Sequence, residues 1–450
     1  TSTAIPPRLP RSCMEFIRKF VGHMRRAQGA GMIPPAEAAV MPPTAAGAKG
    51  ALEENGPLPG EPLDFQPLDP AFIDNPYPLL ARLRTDDPVH RNSSAIWVLT
   101  RHADITAALG DPRFGNAPSP YAVVHARNRP RYLCADVANN IIPFLDPPEH
   151  DTPRRLIGRA FARQIRHTPP DLRAIAEEFI APLRQRPSFD LLHDFATPYA
   201  VAVIGRTLGV PREDESLLKE WSHWFFYLFS IIPSHEIRAR LDEALAAFRA
   251  YFRGRLEAVK HTPDESLLAA LVETGLSDPE IVDTCMLLFA DGVENVDRAI
   301  ANGAAQLLPV PGLWQHLATH PGAIPAAVDE CLRFESPALF VGRVAREDIH
   351  LHGRTIPKNA GVLLILGSAN RDPEAFPDPD IFKPGRPGNR HLAFGQGRHS
   401  CIGGPLVRLE MITAFETLVR EFPMLRVTGE RLEWTPRLGH RWLARLPVIT

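Results

Sequence analysis

The sequence has few cysteines and lacks any long apolar run. Its five cysteines are widely spaced and include no C-x-x-C pair, so neither a disulfide scaffold nor a structural zinc site is expected. This cysteine usage is typical of a reducing compartment, and we predict a cytoplasmic protein. No apolar stretch approaches the ~20 residues that a membrane-spanning helix needs, so the sequence predicts no integral membrane segment.

An excess of charge of one sign is also missing. Fifty basic residues face 52 acidic ones, for a formal net charge of −2. Nucleic-acid binders usually carry a clear basic excess, so no nucleic-acid partner is expected. The chain has no G-x-G-x-x-G dinucleotide fingerprint and no other flavin or nicotinamide motif. Any electrons that the protein uses must therefore come from outside the chain.

Proline is abundant but unevenly placed. Residues 1–62 are rich in Pro, Ala and Gly, a composition that buries too little apolar surface to offset the entropy of ordering. We predict that this leader is mostly disordered and that residues 65–450 form one folded domain. Within the leader, residues 11–26 could form a short basic amphipathic helix. It could be a loosely attached segment, a helix that docks on a partner or a membrane surface, or an organellar targeting peptide.

From Phe65 onward, apolar residues recur at helical spacing. The pattern predicts a mainly α protein with small β-sheets, an α+β fold. Short apolar runs predict strands at 96–100, 343–351 and 361–366, and the Pro-rich stretch 372–393 is expected to be irregular. Helices are predicted at 77–87, 102–109, 171–186, 191–208, 214–230, 236–260, 277–308, 322–335 and 404–421.

The most informative segment is HLAFGQGRHSCIGG at 391–404. Cys401 lies just before a predicted helix, where backbone amides favour the thiolate, the metal-binding form of cysteine. Gly395 and Gly397 permit backbone conformations that would let a turn lie against a flat ligand. For a lone cysteine, a buried structural role is the simpler interpretation. His399 and Cys401 could ligate zinc, but no second ligand pair has the required spacing.

Residues 394–403, FGQGRHSCIG, resemble the haem-binding loop of the cytochrome P-450 family, whose pattern is FGxGxHxCxG. The resemblance implies a triangular, prism-like single domain that binds haem b. In that family the cysteine thiolate is the axial iron ligand and favours cleavage of the O–O bond, which assigns this role to Cys401. By the same resemblance Phe394, Gly395 and Gly403 contact the haem.

Further matches to the family lie along the chain. Glu330 and Arg333 look like its ExxR motif and Arg386 like the second arginine of that network, so we assign these three residues to the scaffold. A haem carries two carboxylates, and buried anions need charged hydrogen-bond donors. The residues that match propionate-contacting positions are His150, Arg154, Arg343, His391 and His399.

The helix predicted at 277–308 resembles the family's central helix beside the distal haem face, usually written AGxET or AGxDT. The resemblance implies catalytic roles for Asp291, Gly292, Glu294 and Asn295, with the helix opening at Gly292. Asn295 replaces the usual threonine. An asparagine amide can donate and accept hydrogen bonds, but it cannot relay a proton as a hydroxyl does. Altered proton delivery, oxidative coupling without ordinary O–O scission, and a haem protein with little turnover all remain open.

The remaining features concern substrate and partner. An aromatic run over 221–229 is either core or the roof of an apolar pocket that loop 115–143 closes. Arg155, Arg159 and Arg163 form a basic stripe that is either solvated or the docking surface for a ferredoxin or flavodoxin with its NAD(P)H reductase. We predict a monooxygenase that hydroxylates or epoxidises an apolar small molecule, free or tethered to a carrier protein. The alternatives are a coupling or desaturating oxidase and a non-catalytic haem protein.

Overall fold

The computed structural model describes residues 63–120, 122–229 and 234–450. The leader and its candidate helix at 11–26 lie outside the described residues, and the proposed domain boundary after the leader stays a prediction. The described part is mainly α-helical with small sheets, as predicted. No helix in these ranges combines the length and the apolarity that crossing a membrane requires.

Sixteen α-helices occur in the described part of the chain. They are α1 (Pro70–Asp74), α2 (Tyr77–Asp86), α3 (His102–Gly110), α4 (Leu133–Ala138), α5 (Asp151–His167), α6 (Leu172–Ile180), α7 (Thr197–Leu208), α8 (Glu215–Phe225), α9 (His235–His261), α10 (Leu267–Val272), α11 (Asp278–Glu294), α12 (Val296–Leu307), α13 (Leu313–Thr319), α14 (Ile324–Phe334), α15 (Leu366–Ala369) and α16 (Gly404–Glu421).

Ten short strands form three sheets in the same ranges. The largest sheet has the order β1-β2-β8-β5-β3, in which only β2 and β8 run parallel. A second sheet has the order β4-β10-β9, and β6 and β7 form a hairpin. The strands are β1 (Val89–Arg91), β2 (Trp97–Leu99), β3 (Phe114–Gly115), β4 (Ser188–Asp190), β5 (Val341–Ala345), β6 (Ile349–Leu351), β7 (Arg354–Ile356), β8 (Gly361–Leu364), β9 (Arg426–Val427) and β10 (Pro447–Ile449).

The structure corrects the predicted elements where hydrogen bonding changes inside an apolar run. The strand predicted at 343–351 divides into β5 and β6, and the helix predicted at 191–208 starts with a π-helical turn at Leu191–Ala196. The long helix predicted at 277–308 is interrupted at Asn295, between α11 and α12. Periodicity alone does not register such changes, because the apolar face continues through them.

Helix α11 is the centre of the fold. It packs against α7, α8 and α9, and its buried side chains belong to the largest apolar cluster of the described residues. Ser277 caps its start, because its side chain accepts from the backbone of Glu280 while the Glu280 carboxylate accepts from the Ser277 N–H. The helix is therefore held on several sides, which fixes where its last turn lies.

The ExxR match forms a buried ionic network, as predicted for the scaffold. Arg333 donates to both carboxylate oxygens of Glu330, at 2.7 and 2.8 Å, and both side chains are fully buried. Arg386 Nε lies 3.3 Å from Glu330 Oε1, and the Lys383 N–H donates to the same oxygen at 2.8 Å. Arg333 also donates to the carbonyl of Pro379. The network ties α14 to the irregular stretch that precedes the Cys401 loop.

Candidate active site

The Cys401 loop is shaped by its own backbone. A 3₁₀ turn at Gly397–His399 precedes the cysteine, and the Cys401 N–H donates to the carbonyl of Phe394 at 2.9 Å. Gly395 and Gly397 have φ of 63° and 76°, in the left-handed region that glycine adopts without strain. A Cβ at position 397 would lie 3.0 Å from the carbonyl oxygen of Leu109. The predicted need for glycine at these two positions is therefore confirmed.

Cys401 lies just before α16, and the amides at the start of this helix favour the thiolate, as predicted. Burial and the nearby carboxyl of Asp291 raise the pKa of Cys401 to about 11, although the amides of Gly403 and Gly404 and the charge of Arg154 lower it. The helix amides act in the predicted direction, but they are outweighed. A cation bound to the sulfur would supply the missing stabilisation, because metal binding displaces the thiol proton.

Cys401 and Asp291 border an enclosed cleft. Both side chains are exposed, yet the surrounding protein raises the pKa of both groups, that of Asp291 to about 7. Asp291 lies near the end of α11, whose neighbouring residues Ala290 and Val293 are fully buried. The cleft therefore lies between the Cys401 loop and the last turn of α11.

Cationic and imidazole groups surround one end of this region. Burial lowers the pKa of Arg343 to about 10 and that of His399 to about 4, the latter helped by His150, Arg343 and Arg154. The His150 and His399 rings lie 4.1 Å apart, and His150 Nε2 is buried without a hydrogen-bond partner in the described structure. Arg154 donates to the carbonyl of Ser400 at 2.6 Å. Four of the five predicted propionate contacts are thus brought together.

His391 is the exception. Its ring packs 5.9 Å from that of Phe394. Burial lowers its pKa to about 4, and the charged groups that act on it are Asp329, Arg333, Arg408 and Glu330. These groups belong to the ExxR side of the loop. The structure therefore does not bring His391 together with the other four residues, and its contact with a propionate stays a prediction.

Glu294 is held by helix α8. Its Oε1 accepts from Lys219 Nζ at 2.5 Å and from Ser222 Oγ at 2.9 Å. Burial by itself would raise the pKa of Glu294, but Lys219, His223 and Arg298 together lower it to about 2. The carboxylate is therefore ionised at neutral pH, in an ion pair with a partly exposed lysine.

Asn295 stands at the break between α11 and α12. Its N–H bonds to the carbonyl of Val293 instead of the carbonyl four residues earlier. Its side-chain Oδ1 accepts from the indole Nε1 of Trp442 at 3.3 Å. This contact assigns the amide orientation, since an indole only donates. The NH₂ group is then the end of the amide that is left for other partners.

Gly292 does not mark the opening of the helix, which corrects the expectation for this residue. A Cβ at this position would lie 2.7 Å from Ile204 Cγ1 of α7. The glycine lets α11 and α7 pack closely, and the helix opens three residues later, at Asn295. A catalytic role for Gly292 has no support in this geometry.

The site combines an exposed thiol with a cluster of cationic and imidazole side chains, and comparisons with known proteins agree with the resemblance of its loop. The family model for cytochrome P450 matches residues 323–436. The biotin biosynthesis cytochrome P450 of Bacillus subtilis is 32% identical over 386 residues, which cover 84% of this chain and 96% of that protein. The mycinamicin IV hydroxylase/epoxidase of Micromonospora griseorubida is 34% identical over 386 residues, covering 82% and 94%. This chain belongs to the cytochrome P450 family.

The fold of this P450 matches solved family members. P450BioI, solved in complex with an acyl carrier protein ligated to hexadec-9Z-enoic acid, superposes with a TM-score of 0.77 at 31% identity over 84% of this chain and 98% of that one. The predicted cytochrome P-450 fold is thus confirmed. The protein is a P450 monooxygenase with a haem-thiolate cofactor, similar to bacterial biosynthetic enzymes.

The residues present fit a haem. The two glycines of the Cys401 loop keep the approach to the sulfur free of side chains, and Phe394 packs 3.3 Å from where a Cβ at Gly404 would lie. The Nε2 of His150, unpartnered among the described residues, and the guanidinium of Arg343, whose one side-chain hydrogen bond there is to the carbonyl of Gly342, suit the two propionates. Cys401 would hold the iron.

The aromatic run divides between core and pocket. Trp221 and Phe225 are fully buried and pack against Phe248 of α9, so they belong to the core. Phe226 packs 5.3 Å from Trp442, and Phe229 stacks at 5.1 Å on Phe144, which directly follows the predicted closing loop. Only the later part of the run is therefore placed beside the P450 distal side.

Sequence reasoning missed Lys219, Ser222 and Trp442. Lys219 and Ser222 share a face of α8 because they are three residues apart, but nothing local connects them to Glu294, 75 residues later. Trp442 follows Asn295 by 147 residues. The only available signal was the unusual Asn295 itself, because a buried amide needs a partner.

Proposed function

We propose that this P450 hydroxylates or epoxidises an apolar biosynthetic small molecule with O₂ and two electrons from an external donor, and that its haem is of the b type. The observation that carries the proposal is the cleft between Cys401 and Asp291, with His150, Arg343 and His399 at one end. The cleft has one sulfur ligand on one side and an acid on the other. It combines a metal ligand with a proton-exchanging group, as oxygen activation requires.

The bound haem supplies the O₂-binding iron and the cleavage of the O–O bond, and the chain supplies protons. The pKa of Asp291, raised to about 7 by burial, lets this carboxyl take up and release a proton near neutral pH. Glu294 lies behind it, and its partner Lys219 is 25% exposed. We propose that protons enter at Lys219, pass Glu294 when the ion pair opens, and reach the cleft at Asp291.

Asn295 holds water or substrate in this scheme and relays no proton. Its Oδ1 is engaged by Trp442, so its NH₂ group donates. A donor at this position can orient an acceptor beside the iron and stabilise it there. We therefore assign proton delivery to Asp291 and Glu294. Of the three alternatives that Asn295 leaves open, this is altered proton delivery that still supports turnover.

The substrate is proposed to be apolar and fairly bulky, either free or tethered to a carrier protein. Tyr227 and Phe229 are partly exposed and present aromatic surface just after α8, beside the buried Phe226. The P450BioI structure contains a carrier-tethered acyl chain, which shows that a similar fold accepts such a substrate.

The electron donor is proposed to be a ferredoxin or flavodoxin with its NAD(P)H reductase, in the cytoplasm. Arg155 and Arg159 are exposed on α5, whereas Arg163 is partly neutralised by Glu273 at 3.2 Å. The basic surface of α5 begins one residue after Arg154, which itself contacts the Cys401 loop. An acidic donor attracted to this surface would approach on the sulfur side of the haem.

The test is NAD(P)H-coupled product formation with a surrogate ferredoxin and reductase, on ligands first selected by a shift of the Soret band. Insertion of one oxygen atom into a bound ligand supports the proposal. A product that has lost two hydrogens and gained no oxygen would indicate the desaturating or coupling oxidase instead. No turnover on any tightly bound ligand would indicate the non-catalytic haem protein.

A further inference from the structure

A cluster of charges lies beside Glu294; its two acids are buried, its cations are partly exposed, and among the described residues it contains one more cation than anion. Lys219 pairs with Glu294 at 2.5 Å, and Arg298 pairs with Asp297 at 3.0 Å. Arg437 is the third cation. Among the described residues, its one side-chain hydrogen bond is to the carbonyl of His223, at 3.2 Å. The cluster therefore has three cations against two acids, and the unbalanced charge is on Arg437.

The Arg437 guanidinium lies among aromatic rings. Its central carbon is 4.7 Å from the ring centroid of Tyr227, 5.1 Å from that of Trp442 and 5.9 Å from that of Phe226. Ring faces stabilise a cation only partly. A guanidinium has five N–H donors, and most of those on Arg437 have no acceptor in the described structure. The site therefore lacks an acceptor that is negative, planar and small.

The electrostatics around Arg437 agree with a missing anion. Burial, and then the charge of Arg437, lower the pKa of His223 to about 4. Burial also lowers the pKa of His440 to about 4, and Arg437 contributes to that shift. Both imidazoles are therefore neutral at physiological pH, and neither adds to the positive charge. A single carboxylate would balance the cluster.

Arg437 is also placed where a substrate would reach it. It stacks on Trp442, whose indole donates to Asn295 at the end of α11. On its other side it lines a small cavity with Leu339, Phe340 and His440. The guanidinium is thus separated from the haem side of α11 by about one indole ring, and the rings between are apolar.

We propose that Arg437 binds the carboxylate of the substrate, so that the substrate is an amphipathic acid whose apolar chain passes Phe226 and Trp442 towards the Cys401 cleft. The proposal rests on the proposed monooxygenase function and names its substrate class. A guanidinium can bind a carboxylate through two parallel hydrogen bonds, which fixes orientation as well as affinity. A carrier-tethered thioester has no free carboxylate, so the free acid is the form that this site recognises.

The test compares acids with alcohols of the same chain length. The haem-loaded protein is titrated with dodecanoic and hexadecanoic acids and with dodecan-1-ol and hexadecan-1-ol, in mildly alkaline buffer so that the acids are ionised. Binding is followed by the Soret band and, independently, by calorimetry. We expect each acid to bind about tenfold more tightly than its alcohol, the effect of one charged hydrogen-bonded contact.

Variants assign the preference to its residue. Arg437→Gln should remove the tenfold preference and change the affinity for the alcohols by less than about twofold, since the apolar path is intact. Arg437→Lys keeps the charge without the paired geometry and should retain part of the preference. Arg426→Gln, on exposed β9, is the matched control and should leave both affinities unchanged.

Three results would overturn the inference. They are equal binding of acids and alcohols by the unmodified protein, an equal loss of both ligand classes in Arg437→Gln, and no binding of either class. The proposed monooxygenase function is tested separately, by turnover. Oxygenation of a neutral ligand without an acid preference would refute only the carboxylate site, whereas an acid preference without any turnover would refute only the monooxygenase.

Discussion

The sulfur side and the oxygen side of the haem cleft are built in different ways. On the sulfur side, the Cys401 loop is shaped by its own backbone, from Phe394 to Gly404, although Asp291 and Arg154 also act on its thiol. On the oxygen side, Glu294 and Asn295 take their partners from Lys219 and Trp442, which are 75 and 147 residues away. A local motif thus specifies the iron ligand, whereas long-range packing specifies how protons and substrate are handled.

This difference explains how one fold can keep a reaction centre while its specificity changes. A substitution in α8 or near Trp442 alters the groups around Glu294 without touching the hydrogen bond between Cys401 and Phe394. In contrast, a substitution in the Cys401 loop changes the proposed iron ligand or the backbone that positions it. The two sides should therefore respond to mutation with effects of different size and different kind.

The largest effect is expected from Cys401→Ala. Because the sulfur is the proposed iron ligand, its removal should abolish the thiolate signature of the ferrous–CO spectrum and all monooxygenase turnover. Cys134→Ala removes another cysteine of the described structure, a fully buried one in α4, and should keep both. A thiolate spectrum in Cys401→Ala would mean that another residue ligates the iron.

The next effect is on the scaffold behind the loop. Glu330→Gln leaves Arg333 and Arg386 buried without their carboxylate, and loss of one partner of a buried ion pair costs about 3–5 kcal/mol. Glu273→Gln breaks the exposed pair with Arg163 and should cost at most about 1 kcal/mol. Chemical denaturation of both variants measures the two free energies of unfolding. Equal costs would show that the buried network does not anchor the loop.

A third effect is a dependence of stability on pH, which Glu294 should produce on the oxygen side. The pKa of Glu294 is lowered to about 2 from a usual 4.5, so its ionised form stabilises the fold above pH 4.5 and that contribution is lost as the pH falls towards 2. In Lys219→Met, burial should instead raise this pKa. The ionised Glu294 should then destabilise the variant by about 2 kcal/mol at neutral pH.

Denaturation of the protein and of Lys219→Met across the acid range measures this change. The difference in stability between them should grow as the pH rises from about 2, because the wild-type protein gains from ionisation of Glu294 up to pH 4.5 and the variant loses stability above pH 4.5. Lys260→Met breaks an exposed pair with Asp278 and serves as the control. A difference that does not depend on pH would show that Lys219 does not hold Glu294.

The difference between local contacts on the sulfur side and long-range contacts on the oxygen side also determines which features can be predicted from the sequence. The conformations of Gly395 and Gly397 could be predicted because they depend on neighbours a few positions away, and both residues have positive φ. The role of Gly292 was misplaced because it depends on Ile204, and the resemblance carried no information about α7. His391 lies three residues before the motif, and the charged groups that act on it come from α14 and Arg408.

The smallest effect is expected where the oxygen side depends on a single neutral hydrogen bond. Trp442→Phe removes the indole donor to Asn295 and should cost about 1 kcal/mol of stability. The freed amide can then turn its carbonyl towards the cleft, so a smaller share of the NAD(P)H consumed should appear as product. Trp314→Phe removes an indole bond to the carbonyl of Phe422 at 2.9 Å, with a similar cost in stability. Only Trp442→Phe should change coupling, and equal coupling in both variants would show that the orientation of Asn295 does not affect oxygen use.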